Sequence, residues 1–120
     1  MASTPKTPAA VPAVRRFGMV IGLKADRVED YKRVHAGPGV RDLLGIANIR
    51  NFNIFLHRLP DGKFYEFAYY EYVGTDYAGD MAKLAAHPRN IEWLKLCDPM
   101  QLPLPGEKSW VFMEQIYFNP

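Results

Sequence analysis

Cysteine, charge of one sign and long apolar runs are all scarce in this 120-residue sequence, and each scarcity excludes a class. The single cysteine, Cys97, rules out an internal disulfide framework and a multi-thiolate zinc site, which makes a reducing compartment the expected one. No apolar run reaches the roughly 18 to 20 residues that cross a bilayer. The opening Met1-Ala2-Ser3-Thr4-Pro5-Lys6-Thr7-Pro8 has no apolar export core, so a soluble, cytoplasmic protein is expected. Fifteen Lys and Arg against thirteen Asp and Glu leave only +2, dispersed along the chain, which disfavours nucleic acid as a partner. The three histidines form no His-x-x-x-His pair, and Gly37-Pro38-Gly39 has neither the spacing nor the lysine of a phosphate loop.

What is present is ordinary globular material, 48% hydrophobic and 23% charged, of single-domain length. Residues 1–14 carry prolines among small and polar neighbours and read as a flexible tail, leaving 15–120 as the folded domain. Phe17, Met19, Ile21 and Leu23 recur with period two and predict a strand. Asp26 followed by Glu29 suggests an N-cap, and Val28, Tyr31 and Val34 predict a helix to about His35. Gly37-Pro38-Gly39 bends or stops it before a short apolar helical face at Val40, Leu43 and Leu44. Strands over Ile49 to His57 and Lys63 to Tyr72 flank the turn Leu59-Pro60-Asp61-Gly62 as a hairpin. Helices follow over Asp76 to Ala86 and from Pro88 through Cys97, and alternating Trp110, Phe112, Glu114, Ile116 and Phe118 predict a terminal strand.

Strand, helix, two strands, helix, strand is the ferredoxin-like α+β order, with an antiparallel sheet covered by helices on one face. Aromatic residues fall on both phases of several strands, so the uncovered face calls for a second subunit or a deep pocket.

Tyr31 and His35 stand one helical turn apart, which lets a phenol and an imidazole share one site; Tyr31 in the core and His35 finishing the helix is the competing account. Trp93, between the apolar positions Ile91 and Leu94, is either core or a flat wall for a sugar. Glu66 and Glu71 lie on opposite phases of an aromatic strand, which excludes a ready two-carboxylate site and places them most simply in solvent or against arginine. Cys97 has no resolving partner and reads as a quiet thiol.

Tyr31-Lys32-Arg33-Val34-His35 with Pro38 following, Asn51-Phe52-Asn53-Ile54-Phe55-Leu56, Asn90-Ile91-Glu92-Trp93-Leu94-Lys95 and the closing Glu114-Gln115-Ile116-Tyr117-Phe118 stand in an order that resembles the L-rhamnose mutarotase family, from about Arg16 to Pro120. The resemblance implies a ferredoxin-like fold in a homodimeric, α/β-barrel-type assembly, a monosaccharide substrate, and no metal or redox cofactor. It implies a proton-donating histidine at His35 and a substrate-contacting tyrosine at Tyr31. A second family tyrosine falls at Phe52, which keeps the ring and loses the hydroxyl. The family's paired tryptophans fall at Glu92 and Trp93, so one apolar platform becomes a carboxylate. Interconversion of α and β anomers of L-rhamnose or a related deoxy-hexose such as L-fucose is the activity implied. A cofactorless monooxygenase of aromatic substrates and a noncatalytic sugar-binding dimer are the rival readings.

Overall fold

The period-two run of the first strand, β1 (Arg15–Leu23), points Met19, Ile21 and Leu23 into the core, and the computed structural model, which describes residues 13–120, builds the sheet around it. The expected tail lies outside the described residues up to residue 12. β1 pairs antiparallel along its whole length with β3 (Phe64–Tyr72), and β3 pairs on its other edge with β2 (Ile49–Arg58). The free edge of β1 receives two short antiparallel strands, β4 (Gln101–Leu102) opposite Gly22 and Leu23, and β5 (Val111–Met113) opposite Gly18 to Val20. This five-stranded sheet, ordered β2-β3-β1 with β4 and β5 beside β1, carries the ferredoxin-like plan. Among the described residues no helix is long and apolar enough to cross a membrane.

Four helices connect the strands: α1 (Val28–Ala36), α2 (Arg41–Ile46), α3 (Tyr77–Ala86) and α4 (Pro88–Cys97). α1 carries Glu29 and Asp30 in its first turn and Arg33 in its last, each complementing the helix dipole. Asp26 does not cap it: a single 3-10 turn (Ala25–Arg27) precedes α1, and Arg27 occupies the cap position without a side-chain bond. Asp76 caps α3 by accepting from the Gly79 N–H at 3.0 Å, and α4 starts with Pro88 in its first turn while His87 Nδ1 accepts from the Arg89 N–H at 3.1 Å. Tyr72, almost fully buried, donates to Asp80 Oδ2 at 2.5 Å and accepts from the Asp76 N–H at 2.9 Å, which ties α3 to the sheet.

β2 contains a bulge between Arg50 and Asn53, where Asn51 takes a positive φ of 54°. The bulge resets the side-chain phase, so Ile49 before it and Ile54 after it both pack on the cluster of Met19, Ala68, Tyr70 and Tyr72. A second cluster gathers Leu23, Val28, Tyr31, Cys97 and Met100.

The terminal strand is shorter than its alternation predicts. Only Val111 to Met113 pair with β1, opposite Gly18 to Val20, and the pairing ends three residues short of the start of β1 at Arg15. Ile116 and Tyr117 are consequently 88% and 77% exposed, and Phe118 rests under the Arg16 guanidinium at 3.7 Å. β4 was not expected at all, since Pro99 and Pro103 frame it too closely for a visible period.

Candidate functional site

A cavity of about 710 Å³ opens between the helix-bearing face of the sheet and the helices. Met19, Ile49 and Ile54 floor it with apolar surface, and Trp93, Asn90 and Cys97 of α4 wall it opposite Gly37 to Arg41. Polar side chains converge on it as well: Tyr31, His35, Asn51, Asn53 and Gln101 all reach its lining. An apolar cup with a few convergent polar groups suits a small polar ligand.

The one-turn spacing of Tyr31 and His35 does place the two rings together, stacked with centroids 4.0 Å apart. Trp93 meets the imidazole edge-on at 5.0 Å, so it is a wall of the cavity and a partner of His35 at once. His35 Nδ1 lies 2.8 Å from the Tyr31 carbonyl oxygen. A carbonyl only accepts, so Nδ1 carries the proton and Nε2 is left free for a ligand. Burial lowers the His35 pKa from its ordinary value; the bond to the Tyr31 carbonyl opposes this and the Arg41 charge adds to it. The free nitrogen is therefore a base near neutral pH.

Local structure holds this group in place. Gly39 has a φ of +52°, and a Cβ there would come within 3.1 Å of the Trp93 ring, so the backbone packs directly on the indole. Arg89 grips Asp42 with two bonds of 2.7 and 3.1 Å and donates to the Gly39 carbonyl at 3.2 Å, fastening α4 to the first turn of α2 and to the loop before it. Arg41 donates to the His35 carbonyl at 2.8 Å and to the Gly37 carbonyl, closing the end of α1.

Phe52 lines the same cavity and stacks on Tyr70 at 5.6 Å, so the position implied for a tyrosine presents a bare ring. Glu92 is not brought to the cavity. It is exposed, 3.3 Å from Lys95 Nζ, and belongs to a shallow groove on the far side of Trp93.

Glu66 corrects the sequence reading. Instead of meeting solvent or arginine it is 1% exposed, accepts from the Tyr31 hydroxyl at 3.0 Å and sits 3.4 Å from Gln101 Nε2. Gln101 also donates to the Tyr31 hydroxyl at 3.3 Å. Burial pushes the Glu66 carboxyl up to about 7, against the two hydrogen bonds that favour its charge. Its phase was the available signal, since Phe64, Ala68, Tyr70 and Tyr72 share it and none carries a charge. Gln101, on a two-residue strand, had no such signal. Cys97 is buried, and burial pushes its thiol up to about 11, in keeping with a quiet thiol. Among the described residues no group of three or more His, Cys, Asp or Glu side chains is gathered to hold a metal ion.

Comparison with known proteins gives the site its context. No curated protein matches the chain. A solved L-rhamnose mutarotase from Formosa agariphila shares the fold with a TM-score of 0.65 and 17% identity, over 88% of this chain and 99% of its own. A protein described as an antibiotic biosynthesis monooxygenase from Nitrosomonas europaea superposes with a TM-score of 0.56 and 14% identity, over 87% of this chain and 91% of its own. These likenesses speak for the fold. The family model described as L-rhamnose mutarotase matches residues 16–118, which takes in all the cavity residues and, apart from Arg15, every strand and helix from β1 to β5, and the chain accordingly belongs to the L-rhamnose mutarotase family.

Proposed function

We propose that the protein interconverts the α and β anomers of L-rhamnose, with His35 exchanging the proton at the sugar and Tyr31, Phe52 and Trp93 forming the substrate surface. The observation that carries this is the stacked Tyr31–His35 pair facing a cavity in a chain of this family. Anomerisation requires the anomeric hydroxyl to lose a proton while the ring oxygen gains one, so that the ring opens to an aldehyde, rotates and recloses. An imidazole with one free nitrogen, its pKa lowered by burial, suits taking the hydroxyl proton on opening and donating it back on reclosure. Trp93 offers a flat apolar face for the sugar's C–H groups, and Phe52 continues that surface where a hydroxyl is absent.

Saturation-transfer NMR on L-rhamnose tests the reading. Exchange between the two anomeric signals is expected to accelerate with added protein and to survive chelation, with L-fucose as the comparison sugar. An unchanged exchange rate, with sugar binding or with oxygen consumption on a quinol-like substrate, would establish the binding dimer or the monooxygenase instead.

A homodimer is part of the same proposal. The sheet face away from the helices carries Val20, Phe67 and the 68% exposed Phe55, and Ile116 and Tyr117 project beyond β5. A second copy laid on this face buries them. Sedimentation at several concentrations is expected to give twice the chain mass; a folded monomer at micromolar concentration excludes the dimer.

A further inference from the structure

We propose that Glu66 is the second proton store of the reaction, acting through the Tyr31 hydroxyl as the acid that complements His35 as base. The inference rests on the anomerase reading above. Glu66 does not itself line the cavity; Tyr31 and Gln101 do, and Glu66 lies behind them in direct hydrogen-bond contact with both. It is thus a positioning and proton-supplying residue whose only route to a sugar is the phenol.

The buried carboxyl has one oxygen, Oε1, without any hydrogen-bond partner. An unpaired buried oxygen is far less costly on a neutral acid than on a carboxylate. In the neutral acid the 3.0 Å contact runs from Glu66 Oε2–H to the Tyr31 oxygen. That oxygen then accepts two bonds, from Glu66 and from Gln101 at 3.3 Å, and has its own proton left to donate toward the cavity. Burial raises the Tyr31 pKa far above the ordinary phenol value, and the charge of an ionised Glu66 raises it further, so the hydroxyl passes a proton on without resting as a phenolate.

The transfers balance. The anomeric O–H proton goes to His35 Nε2, its electron pair forms the aldehyde C=O, and the bond from the anomeric carbon to the ring oxygen breaks. The ring oxygen takes the Tyr31 proton while Tyr31 takes the Glu66 proton. Reclosure on either face reverses every step and restores His35 and Glu66. The groups facing Glu66 are Tyr31 from α1, Gln101 from β4 and Cys97 from α4, with Asp98 beside Cys97 and His35 stacked behind Tyr31; none is a fixed cation. Titration of Glu66 near neutrality is therefore set chiefly by burial.

The test is the pH dependence of anomeric exchange in wild type, Glu66→Gln, Tyr31→Phe and the double variant. Wild-type exchange is expected to fall as pH rises through about 7, where Glu66 loses its proton. Glu66→Gln keeps a hydrogen-bond donor toward Tyr31 but has no proton to release. Its rate is expected to drop on the order of 10²-fold and the alkaline fall to vanish. The double variant is expected to lose little beyond Tyr31→Phe alone, because both cut one relay. A folded Glu66→Gln protein with the wild-type rate and wild-type alkaline limb overturns the proposal and leaves the anomerase reading standing; no acceleration by wild-type protein removes both. Carbon-13 NMR of glutamate-labelled wild-type protein checks the store without any variant. One carboxyl titrating near 7 is expected, and the absence of any glutamate titrating above about 6 overturns it.

Discussion

His35→Asn is expected to slow anomeric exchange of L-rhamnose by about 10²- to 10⁴-fold, the range for removing a positioned acid or base. The variant should stay folded. His35 is half-buried at the end of α1, its protein hydrogen bond is a local one to the Tyr31 carbonyl, and neither core cluster includes it. Sugar binding should weaken only modestly, since Trp93, Phe52 and Tyr31 still line the cavity. The pH profile carries the sharper information. His35 must be neutral to act as base, so wild-type exchange should rise with pH through a value below the usual imidazole one, and this acidic limb should be missing from the variant. Saturation-transfer NMR between about pH 5 and 8, with circular dichroism as the folding control, measures both. A folded variant that exchanges the anomers at the wild-type rate removes His35 from the mechanism.

Gly22→Ala is expected to cost about 2–3 kcal/mol of stability, within the usual range for overpacking. A methyl group at this position runs into the carbonyl oxygen of Leu102, which is backbone on the paired strand β4 and cannot rotate away. Relief requires β4 to leave β1. Because Gln101 pairs with Leu23 on that same two-residue strand, the displacement also withdraws the amide that bonds Tyr31 and Glu66. Thermal unfolding should show a Tm lower by roughly 10 °C. Anomeric exchange at a temperature where the variant is folded should fall as well. Thermal stability within about 2 °C of wild type would mean that β4 yields freely and is not what holds Gln101.

Two glutamates of one strand show where sequence reasoning reaches its limit. Glu71 behaves as its phase suggests, near the surface, accepting from Asn51 at 3.1 Å and from Tyr69 at 2.9 Å. Glu66 sits on the phase shared with Ala68 and Tyr70 and goes inside, because the partners that make burial tolerable come from α1 and from β4, 35 residues away in each direction. Neither partner is local, so no window along the sequence contains the triad. Glu92 illustrates the opposite case. A neighbouring position in the chain does not secure a neighbouring place in space: one residue along α4 turns the side chain by about 100°, which sends Glu92 to solvent while Trp93 enters the cavity.

By itself the sequence determined what periodicity and punctuation carry. The alternation of β1, the hairpin of β2 and β3, and the helices on either side of Pro88 follow from period-two and helical patterns with glycine and proline at their ends. The one-turn spacing of Tyr31 and His35 is equally local and is found as a stacked pair. Tertiary structure alone decided which faces meet. It stopped β5 at Met113 although β1 continues from Gly18 to Arg15, and paired a two-residue β4 that has no period to read. It also carried Glu66 and Gln101 to the Tyr31 hydroxyl. Side-chain direction is a property of a few consecutive residues, whereas burial of a carboxyl depends on hydrogen-bond donors and apolar surface supplied from distant parts of the chain, and only the folded packing brings them together.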